Sequence, residues 1–292
     1  MTDPTLANDG KRPAVRVERR YDHPIERVWQ AVTSREGLAQ WFPHGVEFDL
    51  RPGGAARYGE EGEEAVEGRV LEVLEPRRLV FTWDTDQLTF DLSTDGDGTV
   101  FVLTHEFDDL GGAASFATGW EQCLVALRAG LDGVEAPAQD NGADRHEQLA
   151  EHFGLGAPEV TEDDTGWQVR FERQLTCSAA VAWDLFFGTD PATGEQLSAP
   201  EAGGEFRRST APEAVLGTAT EVDAPDGFAF DVAEGVPGDS VRLRLGPGTG
   251  HGARLLLEVS GTAREELRPA TDMWGRNAVE EVARRAARLA AA

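Results

Sequence analysis

A chain of 292 residues has room for two domains, each large enough to bury a core of its own. Hydrophobic residues make up 40% and charged residues 27%, a globular composition that excludes general disorder. The 53 acidic residues outnumber the 27 basic ones for a formal charge of −26, and a surface so negative repels phosphate backbones and anionic headgroups, which argues against nucleic-acid or membrane partners.

The excess is even: dividing the chain after Glu135 leaves 13 basic and 26 acidic residues before the cut and 14 and 27 after it. The bland meaning is solubility. The single lysine, Lys11, fits a GC-rich bacterial genome or a salt-rich cytoplasm and identifies no partner. Met1 to Pro13 holds no apolar core of a secretory signal, and no later run has the length of a membrane span, so a cytoplasmic location is expected. Cys123 and Cys177 lack the paired spacings of zinc or redox sites and are expected to be free thiols.

Val15, Val17, Arg19 and Tyr21 alternate with polar neighbours, the period of a half-buried strand. Asp22 then offers a cap and Pro24 a first helical position for a short helix, Ile25 to Val32, followed by a second from about Glu36 to Phe42. From Val46 to His105 short alternating runs are divided by turns: Val46-Phe48-Leu50, Ala56-Tyr58, the acidic loop Gly59 to Glu64, Val70 to Val73, Leu79-Phe81-Trp83, Leu88-Phe90-Leu92 and Phe101-Leu103-His105. The pattern predicts an antiparallel meander of about seven strands. Past Gly111-Gly112 the period becomes three and four, with Phe116, Trp120, Cys123, Leu124, Leu127 and Leu131 on one face, so Ala114 to Leu131 is predicted as a long amphipathic helix.

The order then repeats. Val15-Arg16-Val17-Glu18-Arg19 returns as Val169-Arg170-Phe171-Glu172-Arg173, and Trp29 as Trp183, both displaced by 154 residues. Gly68 matches Gly217, which sets Pro76 on Pro225 and Phe81 on Phe230, and Trp120 matches Trp274. The second half is thus read as a strand over Trp167 to Leu175, a helix over Ala179 to Phe187, strands through Val259, and a terminal helix from about Thr271 to Ala291. The expected division is a domain at 13–133, a linker at 134–165 with one short helix near Asp144 to Phe153, and a degenerate second copy at 166–292. Nothing in the second copy matches Trp41-Phe42, and Gly188 to Pro200 diverges.

The ordered set of the Pro24 to Trp29 helix, Trp41-Phe42, Arg51-Pro52-Gly53-Gly54, Arg77 to Trp83, Thr104-His105 and Gly119-Trp120-Glu121-Gln122 resembles the START-like (SRPBCC) superfamily. Within it, residues 13–133 resemble the family named after the activator of heat-shock-protein-90 ATPase. The resemblance implies an α+β chain of two helix-grip domains, each a curved antiparallel sheet of about seven strands wrapped around a long C-terminal helix. It also implies a hydrophobic small molecule (lipid, polyketide or aromatic metabolite) held between sheet and helix.

The first domain is expected to carry that site, with Trp41, Phe48, Tyr58, Trp83, Phe90, His105, Phe116 and Trp120 as its ligand-binding residues. Aromatic residues at such spacing also fill cores, and an inward His105 also serves as a satisfied structural histidine. Two other functions stand beside binding: a chaperone-ATPase-activator-like interaction protein, and a cyclase or hydratase using His105 or Tyr58 as acid or base. A chaperone or a second copy of the chain is the macromolecular partner these readings imply.

No catalytic, cofactor or metal set emerges from the spacing. His146-Glu147 and His152 sit six residues apart, not the four a ligand pair on one helical face needs. Gly246 to Gly250 lacks the lysine of a phosphate loop, Cys123 reads as a buried apolar thiol, and His23, His44 and His251 are isolated.

Overall fold

The computed structural model describes residues 2–59, 66–187, 201–208, 211–250 and 252–290. The acidic loop from Glu60, the divergent stretch 188–200, His251 and Ala291 lie outside them. The chain divides into two compact units, Met1–Gly142 and Ala143–Ala292.

In the first unit the strands are β1 (Thr5–Ala7), β2 (Ala14–Tyr21), β3 (Val46–Phe48), β4 (Ala55–Tyr58), β5 (Val66–Leu74), β6 (Arg78–Trp83), β7 (Asp86–Asp95) and β8 (Gly98–Glu106). They form one antiparallel sheet in the order β1-β2-β8-β7-β6-β5-β4-β3. Two short helices, α1 (Ile25–Thr33) and α2 (Arg35–Leu38), follow β2, and the long α3 (Ala113–Asp132) follows β8. Val15, Val17, Phe81, Phe90, Phe101 and Leu103 are wholly buried on the sheet, and α3 lays Ala117, Trp120, Leu124 and Leu127 against that face. Helix α3 ends where Gly133 takes a left-handed conformation, φ 70°, which lets the chain turn back on the last carbonyls.

The second unit has α4 (Ala143–His152), β9 (Glu159–Glu162), β10 (Trp167–Gln174), α5 (Ala179–Phe187), β11 (Glu205–Arg208), β12 (Ala211–Asp223), β13 (Gly227–Val232), β14 (Ser240–Pro247) and β15 (Ala253–Gly261). Its described strands form an antiparallel sheet in the order β11-β12-β13-β14-β15-β10-β9. The closing helix has three parts: α6 (Leu267–Trp274), a π-helical turn (Gly275–Glu280) and α7 (Glu281–Ala290).

The two ladders share their irregularities. A bulge between Val70 and Glu72 in the β5–β6 pair recurs between Ala219 and Glu221 in the β12–β13 pair. Beside each bulge stands the matched glycine. A Cβ on Gly68 would lie 2.1 Å from the Thr82 carbonyl oxygen, and one on Gly217 would lie 2.1 Å from that of Asp231. Either sheet closes at this point only without a side chain. The corresponding peptides Glu75-Pro76 and Ala224-Pro225 are both cis.

Four expectations need correction. The first sheet gains β1, whose three residues pair with Ala14 to Arg16 and begin before residue 13. Part of the segment read as linker is built into the second unit: β9 pairs with β10 as β1 pairs with β2, and α4 supplies a buried ion pair described below. Both edge strands are too short, and β9 too exposed, to carry an alternating signal. The cap of α1 is Pro24, with no side-chain hydrogen bond from Asp22, and α2 is a single turn.

Replacing Gly68 or Gly217 with alanine is expected to destabilise its unit by about 1–3 kcal/mol, the usual cost of overpacking, although alanine suits a strand better than glycine. Urea unfolding followed by circular dichroism measures it, and an unchanged midpoint would contradict the close approach.

Candidate functional site

Positions on β3, β4, β6, β7, β8 and α3, with Trp41 in the turn after α2, bring the eight sequence-predicted residues into one cluster. Trp41 meets Phe90 at 5.8 Å between ring centroids, Phe90 meets Phe81 at 5.0 Å, and Phe81 meets Phe48 at 4.8 Å. On the other side Tyr58 stacks on Trp83 at 5.8 Å, Trp83 meets Trp120 at 6.2 Å, and His105 meets Trp120 at 5.8 Å and Phe116 at 4.6 Å. Phe42 joins the two groups, with its ring within 5.4–6.4 Å of those of Trp41, Phe81, Trp83 and Trp120. Sequence reasoning had noted Phe42 as apolar without giving it this central place. The rings occupy the space between sheet and helix, and a ligand among them would have to part them.

His105 is 2% exposed and held at both nitrogens. The Trp120 indole donates to Nδ1 at 3.1 Å, so Nδ1 is the acceptor, and Nε2–H points to Asp86 Oδ2 at 2.9 Å. The Tyr58 hydroxyl donates to the Thr82 carbonyl at 2.7 Å, and burial pushes its phenol well above the ordinary range. A phenol desolvated in this way is a poor acid near neutral pH. His105→Ala would leave the indole N–H unpaired and a hole beside Phe116, so a loss of about 2 kcal/mol or more, and roughly 5 °C of melting temperature, is expected. Differential scanning calorimetry reads it; a catalytic histidine would leave the melting temperature almost unmoved.

Burial raises both thiols, Cys123 and Cys177, to about 11. A thiol whose folded pKa lies above its unfolded 9.0 adds stability that is complete below pH 9 and is lost as pH rises toward 11, because only the unfolded thiol ionises in that window. At pH 8 the folded thiols should therefore react with an aromatic disulfide about a hundredfold more slowly than in denaturant, and a fast-reacting thiol would refute the burial. On α4, His146 is buried beside Glu147, 3.2 Å away, and its Nε2 has no hydrogen-bond partner among the described residues.

The second unit differs. Between its sheet and closing helix lies a cavity of about 380 Å³. Phe206, Phe228, Phe230, Leu243 and Leu257 form its sheet side, Phe186 and Phe187 come from α5, and Trp274 and Val282 come from the closing helix. The strand ladders explain the space. In matched register Phe90 corresponds to Leu243, Leu88 to Val241, Phe101 to Leu255, His105 to Val259 and Trp83 to Val232. The 154-residue displacement sets Phe116 on Ala270. Several large rings in the first unit are aliphatic side chains in the second, and one of these replacements, Leu243, stands on the cavity wall beside Val241, which takes the place of the larger Leu88. Phe206, where the first unit has Ala56, runs the other way and packs on Phe228 at 5.0 Å.

The polar part of the wall is Arg207, Arg276, Glu281, Arg284 and Arg285. Glu281 is held by Arg284 at 3.2 Å and Arg288 at 3.4 Å, and Arg207 pairs with Glu205. Among the described residues no group of three or more His, Cys, Asp and Glu side chains is placed to hold a metal ion. No helix among them is long and apolar enough to cross a membrane.

An antiparallel sheet closed on one face by a C-terminal helix defines the START-like helix-grip class, and both units meet that definition. Residues 22–132, within the first unit, match the model of the family described as "Activator of Hsp90 ATPase homolog 1-like protein". Similar solved structures include CalU16 from Micromonospora echinospora, 24% identical over 52% of this chain and 92% of that one, with a TM-score of 0.40. A conserved protein of unknown function from Enterococcus faecalis, EF2215, is 20% identical over 51% and 87%, with a TM-score of 0.43. Protein BH1534 from Bacillus halodurans is 26% identical over 41% and 96%, with a TM-score of 0.36. No curated protein matches the chain.

Proposed function

We propose that this chain binds an apolar small molecule without transforming it, and that the ligand sits in the second unit, between the sheet and the interrupted closing helix. The observation that carries this reading is the cavity of about 380 Å³ walled by aromatic and aliphatic side chains. Pockets for small organic ligands span roughly 300–1,000 Å³ and are lined mainly by such groups. The site thus moves from the first domain, where the sequence had pointed, to the copy with the smaller side chains. On the described wall the titratable groups are four arginines and Glu281, the latter already engaged by two arginines. Such a wall supports holding a ligand more than proton transfer to it.

Ala278 stands on the wall, partly buried. A tryptophan there should fill the space and abolish binding while the circular dichroism stays that of the parent. In a thermal-shift and native mass-spectrometry screen of lipids and aromatic metabolites, a true ligand should raise the melting temperature of the parent by a few degrees and leave Ala278→Trp unmoved. Equal shifts in both proteins would place binding elsewhere, and no shift with any compound class would remove the reading.

A further inference from the structure

We infer that the ligand carries an anionic head, a carboxylate in the simplest case, on its apolar body, and that Arg276 and Arg285 receive that head at the mouth of the cavity. The inference rests on the reading of the cavity as a ligand site and adds the ligand's charge and orientation. Its first support is the wall itself. In a chain of net charge −26, the cavity places four arginines against one glutamate.

These arginines are not equivalent. Arg284 is bound to Glu281 and to the Glu280 carbonyl, and Arg207 to Glu205. Arg276 and Arg285 make no hydrogen bond or ion pair with any described residue. Elsewhere Arg12, Arg19, Arg20, Arg78, Arg173 and Arg254 each hold a carboxylate, whereas Arg69, Arg77, Arg244 and Arg268 hold none among the described residues. Arg276 and Arg285 differ from those four in standing together on the wall of one apolar cavity, in a chain with almost twice as many carboxylates as cations.

The arrangement is also polarised. Phe228, Phe230, Leu257 and Trp274 are all at most 5% exposed and form the inner wall, whereas Arg276 is exposed and Arg285 partly buried. Arg276 belongs to the π-helical turn and Arg285 to α7, so one cation from the interruption and one from the helix beyond it line the same cavity. A planar guanidinium offers paired N–H donors that match a carboxylate, and such charge-assisted contacts are stronger than neutral ones. A body that reaches the aromatic inner wall leaves its polar end at the arginines.

Isothermal titration of the full chain with matched pairs tests this: decanoate against 1-decanol, and 1-naphthylacetate against 2-(1-naphthyl)ethanol, with acetate and inorganic phosphate as anions lacking an apolar body. Each apolar carboxylate is expected to bind about tenfold or more tightly than its alcohol, with a preference that shrinks as salt is added. The double variant Arg276→Ala, Arg285→Ala should lose the preference and keep the alcohol affinity within about twofold, while Arg276→Lys, Arg285→Lys should restore part of it. Equal affinity for carboxylate and alcohol in the parent would overturn the head-group assignment and leave the cavity reading standing. Acetate or phosphate binding as tightly as the apolar carboxylates would show a bare anion site and overturn it as well. Failure of all four apolar compounds would remove the inference together with the cavity reading.

Discussion

The volume of side chain set between a sheet and the one helix that closes it governs each unit. Matched ladders, matched bulges and the glycines Gly68 and Gly217 hold both sheets to one plan. Protein interiors pack near crystal density, so the space between a sheet and its closing helix is either filled by large side chains or left hollow. Trp83, Phe90, Phe101, His105 and Phe116, with Phe42 among neighbouring rings, fill it in the first unit. Val232, Leu243, Leu255, Val259 and Ala270 stand at the corresponding positions in the second. One fold thus supports a solid core and a hollow one, and the difference lies in a few positions rather than in topology.

A second constraint explains why the segment before β10 is structured. Arg19 and Arg173 occupy the same place in the repeat and are both buried, at 6% and 8% exposure, so each requires a carboxylate. In the first unit Glu121 of the long helix supplies it at 2.8 Å. The residue 154 positions on from Glu121 is Gly275, and a Cβ there would lie 2.8 Å from the Phe171 ring, which stands where the first unit has Val17. The helix of the second unit therefore offers Arg173 no acid at that position. Glu147 of α4 supplies one at 2.6 Å instead. The larger Phe171, the glycine and the π-helical turn that begins with it occur together, as do the lost acid and the recruited helix.

Much of this was legible in the sequence, and the limits have physical causes. Strands with one buried face announce themselves by alternation, so β2, β6 and β10 were placed within a residue and β7 and β8 within three, and the period of α3 was plain. The edge strands β1 and β9 bury almost nothing and left no pattern. The eight ligand-binding candidates were read mainly from inward-facing strand and helix positions, and inwardness does not distinguish a lining from a filling. The exchange of rings for aliphatic side chains across the repeat would have done so, had the two copies been compared position by position along the strands as well as by their motifs. The interruption of the last helix is not visible in its periodicity, because Trp274, Ala278 and Val282 keep the four-residue spacing of an ordinary helix through the π-helical turn.

The charge of the chain and the arginines of the cavity pull an anionic ligand in opposite directions, and distance decides between them. The carboxylates that make up the −26 are distributed through both halves of the sequence, and at physiological ionic strength charges more than about 8 Å away are largely screened. A head group in contact with Arg276 and Arg285 lies well inside that length, beside an apolar wall that keeps the local dielectric low and strengthens a contact pair. The far field then slows the approach of anions in general, while the near field retains those whose apolar body brings the head to the opening. The acidic surface and the basic opening thus make the apolar body a condition for holding the anion.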